Sequence, residues 1–257
     1  MQSDTALELT AVSKTYGTVK ALDQVSLAIQ SSQFVGLLGQ NGAGKTTLFQ
    51  LLTGLFNGDS GQIWVCGHDI RHHPIAALSS IGVVFQQPTL DLDLTVQGNL
   101  KFHCLLHGLS RSEAEQRISS ELERFEMQAV RYLPVRSLSG GNQRKVELIR
   151  SLLHRPRLLL MDEATVGLDP ESRKALVNHV IALCKERDLA VLWSTHIVEE
   201  IQQADRVVVL DRGKVLADSS PGELLAKEPL CGSSLSDAFL HLINLNKTVG
   251  VVHERAC

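Results

Sequence analysis

Eight consecutive residues, Gly39-Gln40-Asn41-Gly42-Ala43-Gly44-Lys45-Thr46, fit the spacing G-x-x-x-x-G-K-[ST]. Glycines let a backbone close round an anion. Successive N–H groups at a helix N-terminus then point at phosphate oxygens. In that frame Lys45 neutralises the β and γ oxygens of a nucleoside triphosphate, and the Thr46 hydroxyl ligates Mg2+. A second pair, Asp162 and Glu163, follows the apolar run Leu158-Leu159-Leu160-Met161. Carboxylates at the C-terminal end of a buried parallel strand stand where α/β sheets bind ligands. Asp162 is expected to hold Mg2+ through a water, and Glu163 to polarise an attacking water as general base. The chemistry these groups support together is hydrolysis of a phosphoanhydride.

Such groups need elements to carry them. Residues 34–38 read as a strand buried on both faces. A glycine-rich turn and a helix striped by Leu48, Leu51 and Leu52 follow. Before it, Leu7, Leu9 and Ala11 alternate with Glu8 and Thr10, and Val25, Leu27 and Ile29 with Ser26 and Ala28. A period of two predicts strands with one wet face. Residues 63–65 and 83–85 read as further strands. From about Thr95 to Leu153 helical spacing replaces strand signals, with Ser110 and Glu113 placed as a capping box and Ser139 as another cap. Strands at 158–161, 189–194 and 206–210 then alternate with helices at 171–187 and 197–203, the pattern of a helix-covered parallel sheet. Leu235, Ala238, Phe239, Leu242 and Ile243 have helical spacing in the tail.

The run Leu138-Ser139-Gly140-Gly141-Asn142 ahead of the acidic strand resembles the LSGGQ signature of ABC-type ATPases. Other elements of that family stand in the same order. Tyr16, in KTYG, resembles the aromatic that stacks on adenine. Gln86, in VVFQQ, resembles the Q-loop glutamine that senses the γ-phosphate and shares in Mg2+ binding. Gly167-Leu168-Asp169 resembles the D-loop, and His196, in WSTH, the switch histidine. The resemblance covers roughly residues 7–225 and departs at Asn142, where the family usually has glutamine.

It implies an α/β P-loop NTPase of the ABC ATPase kind, with a mainly parallel core sheet, an N-terminal antiparallel β region and an inserted helical subdomain. The ATPase domain would span residues 1–225, with the insert at about 87–153, and a helical extension would span 226–257. ATP and Mg2+ are the implied cofactors. Gly39, Gln40, Asn41, Gly42, Ala43, Gly44, Lys45, Thr46 and Thr47 would hold the phosphates, and Tyr16 the base. Thr46, Gln86 and Asp162 would hold Mg2+. Glu163, His196, Gln86 and Lys45 would carry catalysis. Ser139, Gly140, Gly141 and Asp169 would reach a nucleotide bound by a second subunit, which implies a dimer, homomeric or pseudo-dimeric.

Composition fits this picture. The 257 residues are 44% hydrophobic and 21% charged, which excludes disorder over most of the chain. With 25 basic and 28 acidic residues the formal charge is -3, so no strongly basic nucleic-acid binder is indicated. No apolar run approaches the roughly 20 residues that span a bilayer, and the start, MQSDTALELT, has no signal-peptide pattern. The five cysteines, Cys66, Cys104, Cys184, Cys231 and Cys257, are widely spaced and read as reduced thiols. His68, His72 and His73 read as a solvated loop, and His103, His107, His154 and His179 as residues of helix surfaces or ends.

The resulting expectation is the ATP-hydrolysing subunit of an ABC transporter at the cytoplasmic face of the membrane. It would power a separate membrane-spanning permease, and segments at 94–100, 164–170 and 235–240 resemble exporters of the ABC-2 type. The alternative is a soluble ABC-type ATPase acting on ribosomes or DNA. No nucleic-acid partner is expected.

Overall fold

The computed structural model describes residues 4–227 and 234–254. Two long strands, β1 (Thr5–Tyr16) and β2 (Val19–Gln30), form an antiparallel hairpin. Val25, Leu27 and Ile29 point inward together, as their spacing requires. In β1 the alternation slips. Leu7 and Leu9 are buried, but Ala11 is exposed with φ +49°, and Val12 takes the inside place. A bulge shifts the register here against both neighbouring strands, and one extra residue turns the later side chains over.

All five residues of β3 (Phe34–Leu38) are buried, and α1 (Lys45–Leu52) follows through the glycine-rich turn. β4 (Ser60–Val65) and the short β5 (His68–Asp69) complete the first sheet, in the order β2-β1-β4-β5. α2 (Pro74–Ser79) begins at a proline, whose missing N–H costs nothing there, and leads into β6 (Ile81–Val84). Helices then take over: α3 (Val96–Leu106), α4 (Arg111–Arg124) and α5 (Gly140–Leu152). Ser110 and Glu113 form the expected reciprocal capping box on α4, and Ser139 caps α5.

The chain returns to the sheet through β7 (Leu158–Asp162), α6 (Pro170–Glu186) and β8 (Ala190–Thr195). β9 (Arg206–Asp211), β10 (Lys214–Ser219), α7 (Pro221–Lys227) and α8 (Leu235–Glu254) follow. The second sheet has the order β10-β9-β3-β8-β7-β6, parallel except for β10. One core fills each of its faces: Phe34 and Leu38 belong to one, Val35 and Leu37 to the other.

This order decides the site. β3, β8, β7 and β6 lie side by side, and the phosphate loop, His196, Asp162-Glu163 and Gln86 follow them in turn. Leu38 pairs with Thr195, Asp162 with Ser194, and Val84 with Met161, so the four strands end nearly level. Parallel strands place these successors on one edge of the sheet.

Three local differences from the sequence reading have physical causes. The helix expected at 197–203 is only a 3-10 turn, Val198–Ile201. Ile201 is pressed against Gly36 of β3, and Glu200 accepts the buried Trp193 indole N–H at 2.9 Å, so tertiary contacts set this backbone. β10 was not expected, because its edge position leaves most of it half-exposed and without alternation. The turn before it carries the signal: Arg212 and Gly213 both have positive φ, as a two-residue hairpin loop requires. The two-residue β5 and the short α2 and α7 likewise fall below what periodicity resolves.

Leu235, Ala238, Phe239 and Ile243 of α8 are buried, as their spacing predicts, and Asn246 Nδ2 donates to Asp211 Oδ2 at 2.7 Å. Cys66, Cys104 and Cys184 are free thiols, whereas Cys231 and Cys257 lie outside the described residues. Among the described residues no helix is long and apolar enough to cross a membrane.

Candidate active site

A cavity of about 640 Å³ opens at the level strand ends, lined by residues 40–47 together with Gln86, Glu163, Val166 and His196. Gly44 caps α1 with φ +109°, and a side chain there would meet the Ala21 carbonyl oxygen at 2.5 Å. Glycine is therefore required for both shape and space. Lys45 is 5% exposed, and its Nζ donates to the carbonyl oxygens of Gly39 at 2.6 Å and Gln40 at 3.3 Å. The ammonium is thus folded back under the loop it serves.

Glu163 is the hub. Its Oε1 lies 3.3 Å from Lys45 Nζ and 3.5 Å from His196 Nδ1, and its Oε2 accepts from Gln86 Nε2 at 3.3 Å. The four residues chosen from sequence as catalytic therefore meet at one carboxylate. Glu163 itself has φ +45°, and its N–H donates to the Ser194 carbonyl at 3.0 Å. A left-handed backbone at a non-glycine residue is costly, and β8 holds it in place. Asp162 is buried beside it, and burial, with the neighbouring Glu163 carboxylate acting the same way, pushes its carboxyl above the usual range.

Sequence reasoning missed one residue that positions the glutamine. Arg144, near the start of α5, donates to the carbonyl oxygens of Phe85 at 2.6 Å and Gln86 at 3.0 Å. It also pairs with buried Glu147, which accepts the Thr89 N–H at 2.7 Å. The helix that starts at Ser139 therefore grips the Gln86 segment. Only the fold brings these residues together. Val19, Lys20, Ala21 and Arg212 also line the cavity without a sequence motif to mark them.

A family model described as ABC transporter matches residues 22–166, more than half of the chain. The chain belongs to that family. This ABC protein is 37% identical to the daunorubicin resistance ATP-binding protein DrrA3 of Streptomyces coeruleorubidus, over 88% of this chain and 71% of that one. It is 38% identical to the Nod factor export ATP-binding protein I of Sinorhizobium fredii, over 90% of this chain and 67% of that one. It superimposes on a dimeric ATP-binding cassette in a post-hydrolysis state, bound to ADP and phosphate, with a TM-score of 0.75 and 25% identity, covering 83% of this chain and 98% of that one. The protein is an ATP-binding and ATP-hydrolysing subunit of an ABC transporter.

In this ABC ATPase not every expected nucleotide contact borders the phosphate cavity. Tyr16 is half-exposed, packs edge-on against Phe56 at 6.3 Å, and is not among the lining residues. Its hairpin partner Val19 is. Ser139 and Gly141 line a separate concavity of about 240 Å³ with Leu168 and Ser172. Gly140 stands open, with nothing within 4 Å of where a side chain would begin. Asp169 caps α6, accepting the Ser172 N–H at 2.9 Å, and these hydrogen bonds to Ser172 hold its carboxyl below the usual range. Asn142 gives its backbone N–H to Ser139 Oγ, so its departure from glutamine leaves the cap intact.

Proposed function

We propose that the chain hydrolyses ATP at composite sites between two head-to-tail subunits, and that their closure drives a separate membrane-spanning permease in export. The convergence of Lys45, His196 and Gln86 on Glu163 carries the hydrolytic half of this reading. On ATP binding, Lys45 would turn from Glu163 to the β and γ oxygens, cradled by residues 39–47. The freed Glu163 carboxylate would take a proton from water as its oxygen bonds to the γ-phosphorus and the bond to the β-phosphate oxygen breaks. His196 would donate to the γ-phosphate, and Gln86 would orient the water.

Thr46, Gln86 and Asp162 supply hard oxygen donors of the kind Mg2+ prefers, and the buried Asp162 carboxyl would gain from a cation beside it. Bound there, Mg2+ would neutralise phosphate charge. Tyr16 would extend the site toward the base. Ser139, Gly140, Gly141 and Asp169 lie away from this cavity, which supports their serving the nucleotide of the second subunit.

The permease would dock where α3 leaves Phe102, Leu105 and Leu106 exposed near Phe85. Residues 1–225 would form the ATPase domain, with the insert at about 87–153, and 226–257 a helical extension. The protein would then sit at the cytoplasmic face of the membrane. The test is affinity purification from detergent-solubilised native membranes with partners identified by mass spectrometry. A polytopic partner is expected; ribosomes or nucleic acid in its place would overturn the transporter assignment for this chain.

A further inference from the structure

The three imidazoles of His103, His107 and His154 meet on the flank of the molecule, away from the phosphate cavity. One ring nitrogen from each lies within 4.8 Å of the other two, and among the described residues this is the one such group of metal-ligating side chains. His103 and His107 are four apart on and just after α3, so they share a face. His154 follows α5. The rings of His107 and His154 stack at 4.1 Å between centroids, and those of His103 and His107 lie 4.5 Å apart.

We propose that these three histidines bind a divalent transition-metal ion of the zinc class. The tautomers support it. His154 Nε2 lies 2.9 Å from the Ile81 carbonyl oxygen, which can only accept, so that nitrogen carries the proton. The lone pair of Nδ1 is left facing His103 Nε2 at 3.4 Å. A backbone carbonyl fixing the far nitrogen is how metal-binding histidines are oriented. Round a tetrahedral ion with a Zn–N bond of about 2.1 Å, ligand nitrogens stand about 3.4 Å apart. The His103–His154 pair already has that separation, and His107, exposed but stacked on His154, would tilt out of that stack to join it.

The donor set separates this site from the nucleotide site. Imidazole nitrogens favour zinc, nickel or copper, whereas oxygen donors favour magnesium. Three imidazoles leave a fourth position, which opens into a cavity of about 330 Å³ lined by Thr53, Leu78, Phe85 and Arg150. Arg150, also in that lining, is held by the Thr89 carbonyl oxygen, to which it donates at 3.0 Å. Because His154 is bonded to β6, a bound ion would tie α3 to the strand that leads to Gln86.

The experiment titrates chelator-stripped full-length protein with zinc chloride in excess Mg2+, read by calorimetry and thermal unfolding. One bound equivalent and a raised Tm are expected. His107→Gln should weaken zinc binding roughly tenfold or more, and His72→Gln, in the other histidine-rich loop, should leave it unchanged. His107 is exposed, so its variant should fold, and unchanged ATP binding checks this. With cobalt as probe, a visible spectrum of a low-coordinate nitrogen site should appear in wild type and vanish in His107→Gln. Absence of zinc binding above the Mg2+ background would overturn the proposal. So would one equivalent that survives a His103→Gln/His107→Gln double substitution.

Discussion

Lys45 Nζ and Glu163 Oε1 stand 3.3 Å apart, one buried and the other nearly so. The cation proposed for the phosphates and the carboxylate proposed as base therefore neutralise each other in this structure. A triphosphate entering the cavity must break that pair, because Lys45 cannot hold the γ-phosphate and Glu163 in the same geometry. Under the proposed roles, ATP binding and release of the base would be one event.

Glu163→Gln keeps the shape and the contact with Gln86 but removes the proton acceptor. Turnover should fall about 10²- to 10⁴-fold, the usual worth of a general base, while ATP still binds. With the negative charge gone and hydrolysis stopped, an ATP-dependent dimer should accumulate on size exclusion. A variant that hydrolyses ATP at the wild-type rate would remove Glu163 from the role of base.

Lys45→Ala acts earlier. Charge-assisted hydrogen bonds contribute about 1.5–3 kcal/mol, so ATP affinity should fall roughly 10- to 150-fold. Fluorescent nucleotide titration measures this, and normal affinity would contradict the phosphate role.

Arg144→Met tests the grip of α5 on the Gln86 segment. It frees the Phe85 and Gln86 carbonyls and leaves buried Glu147 without its cation. Breaking a buried pair from one side costs about 3–5 kcal/mol. Urea unfolding should show that loss. Replacing Glu147 as well should recover part of the stability but leave ATP turnover low if the grip on Gln86 matters to catalysis.

Trp193→Phe tests the switch segment. Glu200 is buried and receives the Trp193 indole N–H and the Thr165 hydroxyl, with Arg173 Nε 3.6 Å away. Losing the indole donor should cost about 1–3 kcal/mol. Because Thr165 precedes the D-loop and Glu200 follows His196, turnover should fall more than ATP affinity, which steady-state kinetics and nucleotide titration separate.

Stability should also depend on pH. Burial, reinforced by the neighbouring histidines, holds His103 down to about 3 and His154 down to about 4. Their unfolded values near 6.5 are higher, so below about pH 6.5 the unfolded chain binds more protons and the fold loses stability as pH falls. Allowing for partial exposure, each should contribute about 1 kcal/mol of loss by pH 5. Urea midpoints in chelator at pH 7 and 5 measure this, and the drop should shrink in His103→Gln.

The candidate site was legible because short motifs mark it. The glycines of residues 39–44, the apolar run ending in Asp162-Glu163 and the histidine after Ser194-Thr195 each announce a strand end and a turn. The capping box of α4, the Ser139 cap of α5 and the stripe of α8 were legible for the same reason: each depends on residues within a turn or two. The reading failed where backbone answers to distant contacts. Residues 197–203 have helical spacing but are held by Gly36 and Trp193, and the bulge at Ala11 reflects pairing with β2 and β4.

By itself, then, the sequence marked the candidate residues for binding phosphate and activating water, because those jobs need particular functional groups next to a strand end. It could not determine that Glu163 collects Lys45, Gln86 and His196. That depends on the order β3-β8-β7-β6, in which strands distant along the chain become neighbours. Nor could it determine that Arg144 holds the Gln86 carbonyl, or that His103 and His107 meet His154. Those contacts exist only once helices pack against the sheet, and packing is a property of the whole core.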